Sequence, residues 1–320
     1  MSYVGPDFDP PRPRRSPLRR ALTVVLAVLV PGALLGWLAF ETLGGADDGG
    51  PGRAAGATSG TAGATSGTAG SAGGDPDDKP GASASQSPTA SAPGGAGALA
   101  GKVVVIDPGH NPANFAHTAE INSKVDIGTH KKECDTTGTT TNSGYTEAAF
   151  TLDVAHRLRT LLERQGATVK LTQDADRPYG PCIDERARIG NSAPADAVVS
   201  VHADGAASGQ RGFHVILPGA VHEGGADTRA IVAPSRELGE LIADDFAEST
   251  DTSPSNYVGD GTGLVTREDL GGLNLSTVPK VFIECGNMRD SKDAALLTSG
   301  AWRQKAAQGI SEGIVSFLRG

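Results

Sequence analysis

Positive charge is scarce in this 320-residue chain once its first turns are passed. Lys and Arg number 28 against 37 Asp and Glu, a formal net charge of −9. Residues 1–20 alone hold Arg12, Arg14, Arg15, Arg19 and Arg20 against Asp7 and Asp9, so everything after residue 20 carries −12. An acidic remainder excludes nucleic acid as a partner and excludes adhesion to an anionic membrane surface. Charge of either sign is missing from Ala21 to Phe40. Large apolar residues are almost missing from 41 to 98, where Gly, Ala, Ser, Thr, Pro and Asp dominate and TSGTAGA at 58–64 is followed at once by TSGTAGS at 65–71. Cysteine occurs only three times.

Each absence has a consequence. At about 1.5 Å per residue, the uncharged run from Ala21 to Phe40 reaches roughly 30 Å as a helix, the thickness of a bilayer's hydrocarbon core. Arginines before it and none directly after keep residues 1–20 in the cytoplasm and export the rest. A cleaved signal peptide is the competing reading, but it has a shorter apolar core and an A-x-A-like cleavage site. Trp37-Leu38-Ala39-Phe40-Glu41 offers a poor site, and Trp37 suits a membrane interface, so an uncleaved single-pass anchor over 21–40 is the expectation. Export follows from either. The 41–98 segment cannot bury enough surface to offset its ordering entropy, which predicts a flexible tether with a reach of roughly 40–45 Å. Residues 99–320 then form one domain with ample core, expected to be monomeric.

Within that domain, KVVVID (102–107), ATVKLT (167–172), DAVVSVHA (196–203), GFHVILP (212–218), GLVT (263–266) and PKVFIEC (279–285) read as short buried strands. Between them, Glu147 to Gln165 keeps apolar residues at helical spacing (Phe150, Val154, Leu158, Leu161, Leu162), with Thr146 before it and Gly166 after it. Shorter or later helices are predicted over Ile183–Asn191, Ala233–Glu248 and Ala301–Leu318. Strands alternating with helices predict an α/β fold: about six strands in a mixed, largely parallel sheet, flanked by helices on both faces. Outside the cytoplasm a Cys134–Cys182 bridge between two loops is expected, with Cys285 a buried thiol; three free thiols are the alternative.

Ligands of such sheets gather beyond the carboxyl ends of the strands. There the polar residues are suggestive. One apolar run closes on Asp107-Pro108-Gly109-His110, another on Ser200-Val201-His202, and a third on Phe282-Ile283-Glu284. Glu147 opens the long helix, where the loop from His110 must return. Taken singly, each histidine is more often a hydrogen-bonded structural residue, and Glu147 fits a first-turn glutamate favoured by the helix dipole. Glu284 is harder to set aside, because a carboxylate closing so apolar a run needs a partner or a function. Together they are what a zinc hydrolase requires: two imidazoles and a carboxylate on the metal, a fourth position for water, and a further carboxylate to move the proton. Arg186 is expected to pair with a buried carboxylate or a loop carbonyl. His117, His130, His156 and His222 have no spacing that asks for chemistry, while His214, inside a strand, could line the cleft.

VVVIDPGHN, GYTEAAFTLDVAHRLRTLLERQGATVKLT, DERARIGN, ADAVVSVHAD and VPKVFIECGNMRD, in this order, resemble the zinc-dependent N-acetylmuramoyl-L-alanine amidases, and the cysteine-bearing loop with an ECGN ending resembles their actinobacterial branch. The resemblance spans about 102–318. It implies His110, Glu147 and His202 as Zn2+ ligands, Glu284 as the catalytic carboxylate, and peptidoglycan or its muropeptide fragments as substrate. Asn111, Gln173 and Asp204 depart from glycine, arginine and asparagine common at those places. An exopeptidase using the same four residues plus a carboxylate-gripping arginine (Arg267 or Arg289), or a tethered wall-binding module without turnover, remain open alternatives. The polar stretches 111–144 and 219–232 exceed ordinary connections of about 2–6 residues and are expected to restrict access to the cleft.

Overall fold

The computed structural model describes residues 97–320; the predicted tail, apolar span and all of the tether but Gly97 and Ala98 lie outside the described residues. Among the described residues no helix is long and apolar enough to cross a membrane. The predicted sheet forms with six strands: β1 (Val103–Pro108), β2 (Thr168–Leu171), β3 (Ala197–Asp204), β4 (His214–Pro218), β5 (Leu264–Arg267) and β6 (Lys280–Asn287). Their spatial order is β2-β1-β3-β6-β4-β5, and every neighbouring pair is parallel except β6 with β4.

Alternation along the strands divides the sheet into two unlike faces. Val104 and Ile106, Val199 and Val201, Val281 and Ile283, and Val215 and Leu217 point to one face and are fully or almost fully buried. Three long helices cover it: α1 (Glu147–Arg164), α3 (Val232–Thr250) and α4 (Gly300–Arg319). Helix α1 starts where expected because the Thr146 side chain accepts from the Ala149 amide, and its Phe150, Val154, Leu158 and Leu162 stripe is buried. This face holds nearly all of the apolar core, including the Cys285 thiol.

The other face carries Asp107, Ser200, His202, His214, Lys280, Phe282 and Glu284. Helix α2 (Ile183–Ser192) covers part of it with a small apolar cluster around Val105 and Val198. More of it is covered by Gly271 and Gly272, the latter packing toward Phe282 and Lys280, and by the long 112–143 segment, which is no structureless loop. It folds as a 3-10 turn (Asn114–Ala116), a short helix (Thr118–Ile121) and a hairpin of Lys124–Asp126 with Lys131–Glu133. At the hairpin turn, Ile127 is fully buried and, with Ile183, packs so close to Gly271 that a Cβ there would lie 2.6 and 2.9 Å from them. The 219–232 stretch also folds, as a small hairpin of His222–Glu223 with Ala226–Asp227 whose Gly224 and Ala226 meet Gly128 of the first hairpin. Short elements such as these, and the helices Gly271–Asn274 and Ser291–Leu297, have too few residues to register as periodic patterns.

Two cross-links fasten the 112–143 segment. One is the Cys134–Cys182 disulfide, joining it to the residue that precedes α2, with the Ile183 amide donating to the Cys134 carbonyl at 2.7 Å. The other is ionic and entirely buried. Arg186 of α2 donates to Asp107 Oδ1 at 2.8 Å and to Asp135 Oδ2 at 3.0 Å. Asp107 also accepts from Thr172, Ser200 and, at 3.3 Å, Lys280 Nζ. Burial raises the cost of charge on both carboxylates, but Lys280 and Arg186 hold Asp107 well below its usual range, and Arg186 with His110 brings Asp135 down to about 2.

Two outcomes are expected. Replacing both Cys134 and Cys182 by serine frees a loop of 48 residues and lowers stability by about 3–4 kcal/mol in denaturant titrations under non-reducing conditions. Asp107→Asn strands the buried Lys280 cation, leaves Arg186 with Asp135 as its one carboxylate, and costs about 3–5 kcal/mol at neutral pH. Because both carboxyls have depressed folded pKa values, their contribution is complete above the unfolded value of about 3.9 and disappears as pH falls through the folded values. The urea midpoint of Asp107→Asn is therefore expected to fall less than that of the unaltered protein between about pH 4 and 2; an equal fall in both would remove Asp107 from this account.

Candidate metal centre

The predicted residues meet at the C-terminal edge of the polar face. His110 follows β1, Glu147 is the first residue of α1, and His202 projects from β3. One nitrogen or oxygen from each lies within 4.8 Å of the others. His110 Nε2 is 3.2 Å and His202 Nδ1 2.9 Å from Glu147 Oε1. A tetrahedral zinc with bonds of about 2.0–2.2 Å separates its ligand atoms by roughly 3.4 Å, so the donor set fits such an ion. The side chains of His110 and His202 remain 13% and 15% exposed, leaving the centre open to the cleft.

Each donor is held from behind. His110 Nδ1 lies 3.2 Å from both Asp135 Oδ1 and the Thr136 carbonyl, two acceptors that favour a proton on Nδ1 and so make Nε2, which faces Glu147, the nitrogen a metal would take. Its backbone has φ 63°, an uncommon state for a non-glycine residue, sustained because Gln173 and Arg186 both donate to its carbonyl at 3.0 Å. Glu147 accepts from the Thr139 amide at 2.9 Å and the Ala203 amide at 3.2 Å. The His202 ring stacks on Phe282 at 5.3 Å. Two glycines make room: a Cβ on Gly109 would lie 2.3 Å from the His202 ring, and one on Gly138 would lie 2.7 Å from the His110 ring and 2.8 Å from Glu147 Oε2.

Electrostatics point the same way. Burial works against a charge on His110, yet Glu147 and Asp135 overcome it and raise its pKa to about 10. Burial likewise opposes the Glu147 carboxylate, but the two histidines hold it well below the usual range. A field that retains a proton this firmly favours any cation between these three groups.

Glu284 stands opposite His202 in the β3–β6 pair. It is partly exposed to the cleft, while its Oε2 is enclosed without a hydrogen-bond partner. Burial and the charges of Glu147 and Asp204 push its pKa up. A cavity of about 180 Å3 opens beside His110 and His202, walled by Ile183, Gly271, Gly272 and Phe282.

The sequence reading placed His202 and Glu284 where their strands close, but β3 runs on to Asp204 and β6 to Asn287, because main-chain pairing continues whatever the side chains are. Arg186 does pair with buried carboxylates and loop carbonyls. His156 and His222 pair with Asp174 and Asp227 at the surface, away from the centre. Asp135, Gly138 and Tyr257 were missed; an acidic residue beside a loop cysteine was the one available signal, and only for Asp135.

The family model described as N-acetylmuramoyl-L-alanine amidase matches residues 104–316. Over 222 residues, the chain is 40% identical to the N-acetylmuramoyl-L-alanine amidase Rv3717 of Mycobacterium tuberculosis, covering 69% of this chain and 88% of that one. Among solved structures, the N-acetylmuramyl-L-alanine amidase Ami1 of Mycobacterium smegmatis matches with a TM-score of 0.63 and 39% identity, covering 69% of this chain and 98% of that one. The apo form of Ami1 from Mycobacterium abscessus matches with the same TM-score and 40% identity, over 69% and 100% of the two chains.

Gly109→Ala tests the geometry without removing a donor. The added methyl must displace the His202 ring, so the affinity for a divalent metal, measured by calorimetry, is expected to fall at least about 10-fold. Unchanged affinity with an intact unfolding transition would mean that His202 does not sit against Gly109 when metal is bound.

Proposed function

The chain belongs to the N-acetylmuramoyl-L-alanine amidase family, and from that premise we propose that it cleaves the amide joining the lactyl group of N-acetylmuramic acid to L-alanine, with Zn2+ held by His110, Glu147 and His202 and with Glu284 moving the proton. The observation that carries this reading is the convergence of three ligand atoms within 4.8 Å, one strand away from a carboxylate with an enclosed, unpartnered oxygen. Zinc at this position would supply Lewis acidity, polarising the scissile carbonyl and acidifying the attacking water.

The chain's own residues do the remainder. Asp135 and the Thr136 carbonyl keep His110 in the tautomer that presents Nε2. Glu284 sits in surroundings that raise its proton affinity, which suits it to take a proton from water and pass it to the departing amine nitrogen. Ile183 and Arg186 of α2, with Gly271, Gly272 and Phe282, wall the cavity beside the two histidines.

Against the exopeptidase alternative, Arg267 is paired with Asp269 through two contacts of 2.7 and 2.6 Å. An intact donor set also argues against a binding module without turnover. The proposal includes the placement inferred from composition: residues 21–40 as a membrane anchor, 41–98 as a tether, and the 99–320 domain acting outside the membrane.

Mass analysis of muropeptides after incubation, with and without a chelator, is the direct test. Release of intact stem peptides with a new L-alanine amino terminus, abolished by chelator, is expected; released single amino acids would point to an exopeptidase. His202→Ala is expected to lose zinc and turnover together, and full zinc occupancy in that variant would remove His202 from the ligand set. Glu284→Gln is expected to keep zinc and fold while losing at least about 10²-fold in rate. Near-normal turnover there would place the base elsewhere.

A further inference from the structure

His214 has no role in the reaction as described above, yet its position is specific. It is the first residue of β4 and faces Glu284 across the antiparallel β4–β6 pair, just as Glu284 faces His202 across the β6–β3 pair. Residues in register on adjacent strands, about 4.8 Å apart, project from the same face. Across this face of the sheet the residues therefore read, in order, metal ligand, proton carrier, imidazole.

His214 is only 5% exposed, and its Nδ1 is enclosed without a hydrogen-bond partner. A buried polar group of this kind costs free energy unless something supplies a partner. The neighbouring tyrosine does not. The Tyr257 ring stands edge-on to His214 at 5.9 Å, while its hydroxyl donates to Asp204 Oδ2 at 2.7 Å. Tyr257 thus walls the imidazole on one side and is committed elsewhere. Burial lowers the His214 pKa to about 4, with Arg267 adding to the effect and Asp204 opposing it. The ring is neutral, a donor at one nitrogen and an acceptor at the other.

We propose that His214 hydrogen-bonds the peptide group that follows the alanine of the departing stem peptide, and so sets which side of the cleft the peptide occupies. This rests on the reaction proposed above. Hydrolysis breaks the bond between the lactyl carbonyl carbon and the alanine nitrogen; the carbon gains the oxygen of water, and the nitrogen gains the proton carried by Glu284. The acyl half therefore lies toward His202, and the nitrogen lies toward Glu284. A chain continuing from that nitrogen runs away from the metal ligands and crosses β4. An extended residue advances about 3.3 Å, so the next peptide group arrives within reach of the following strand. The cavity beside His110 and His202, walled by Ile183, Gly271 and Phe282, is left for the acyl half.

Two measurements on the full chain test this. In protein labelled with 15N-histidine, a synthetic stem tripeptide beginning with L-alanine is expected to shift the His214 imidazole resonances saturably, and N-acetylmuramic acid alone is not. His214→Leu removes both hydrogen-bonding nitrogens at similar volume. Its zinc content is expected to match the unaltered protein, while its KM rises and kcat/KM falls about 10-fold or more, with partial recovery in His214→Asn. Silent His214 resonances at saturating peptide, or a His214→Leu kcat/KM within about 2-fold of normal, would overturn the inference. Should His214→Leu fail to fold, the titration of the unaltered protein decides alone. If the unaltered protein releases no L-alanine amine, the proposed reaction fails instead, which separates the two ideas.

Discussion

Everything at the cleft depends on one buried guanidinium. Arg186 donates to Asp107, Asp135 and the carbonyls of Pro108, His110 and Pro181, so a single planar group ties the end of β1, the start of α2 and the 112–143 segment together. Asp135, held this way, orients the His110 ring, and the Arg186 contact to the His110 carbonyl supports that residue's uncommon backbone. Such a group is costly to bury and more costly to leave unpaired. Its value lies in direction: a planar fork with fixed donor angles permits only one arrangement of the segments it joins.

The sheet separates stability from chemistry. Its apolar face meets three long helices and holds nearly all the large aliphatic side chains, whereas its polar face carries Asp107, Ser200, Lys280, His202, Glu284 and His214. Burying that second set is unfavourable except where partners are supplied. Beneath the cleft they are supplied in full, by Arg186, Thr172 and Ser200 around Asp107. At the cleft they are not, for Glu284 Oε2 and His214 Nδ1 stay unpartnered.

The three positions that depart from the family's common residues each have a structural partner. Asn111 is buried and donates to the Gly180 carbonyl at 3.0 Å while accepting from the Ala113 amide, organising the turn after His110. Gln173 reaches the His110 carbonyl. Asp204 accepts the Tyr257 hydroxyl, which places the wall beside His214. None of the three takes the place of His110, Glu147 or His202.

What the linear chain determined by itself was whatever depends on repeated local choices. The six strands, the four longer helices and the Thr146 start of α1 were legible because period-2 and period-3.6 patterns and a capping residue act within a few residues of one another. Glu284 stood out because a carboxylate closing an apolar run needs a partner or a function, and His110 and His202 gained weight only in combination with it. Three features were decided only by the tertiary structure. Asp135 becomes a support for His110 because a disulfide and Arg186 bring residues 51 positions apart within 3.0 Å. Gly109 and Gly138 matter because rings from distant segments occupy the space of their missing side chains. His214 acquires meaning from register, since it faces Glu284 across strands 70 residues apart only after β4 has paired antiparallel to β6. Periodicity tells which face a side chain takes, but the identity of its neighbour is set by strand order and loop closure, and these depend on the energetics of the whole domain rather than on any window of the chain.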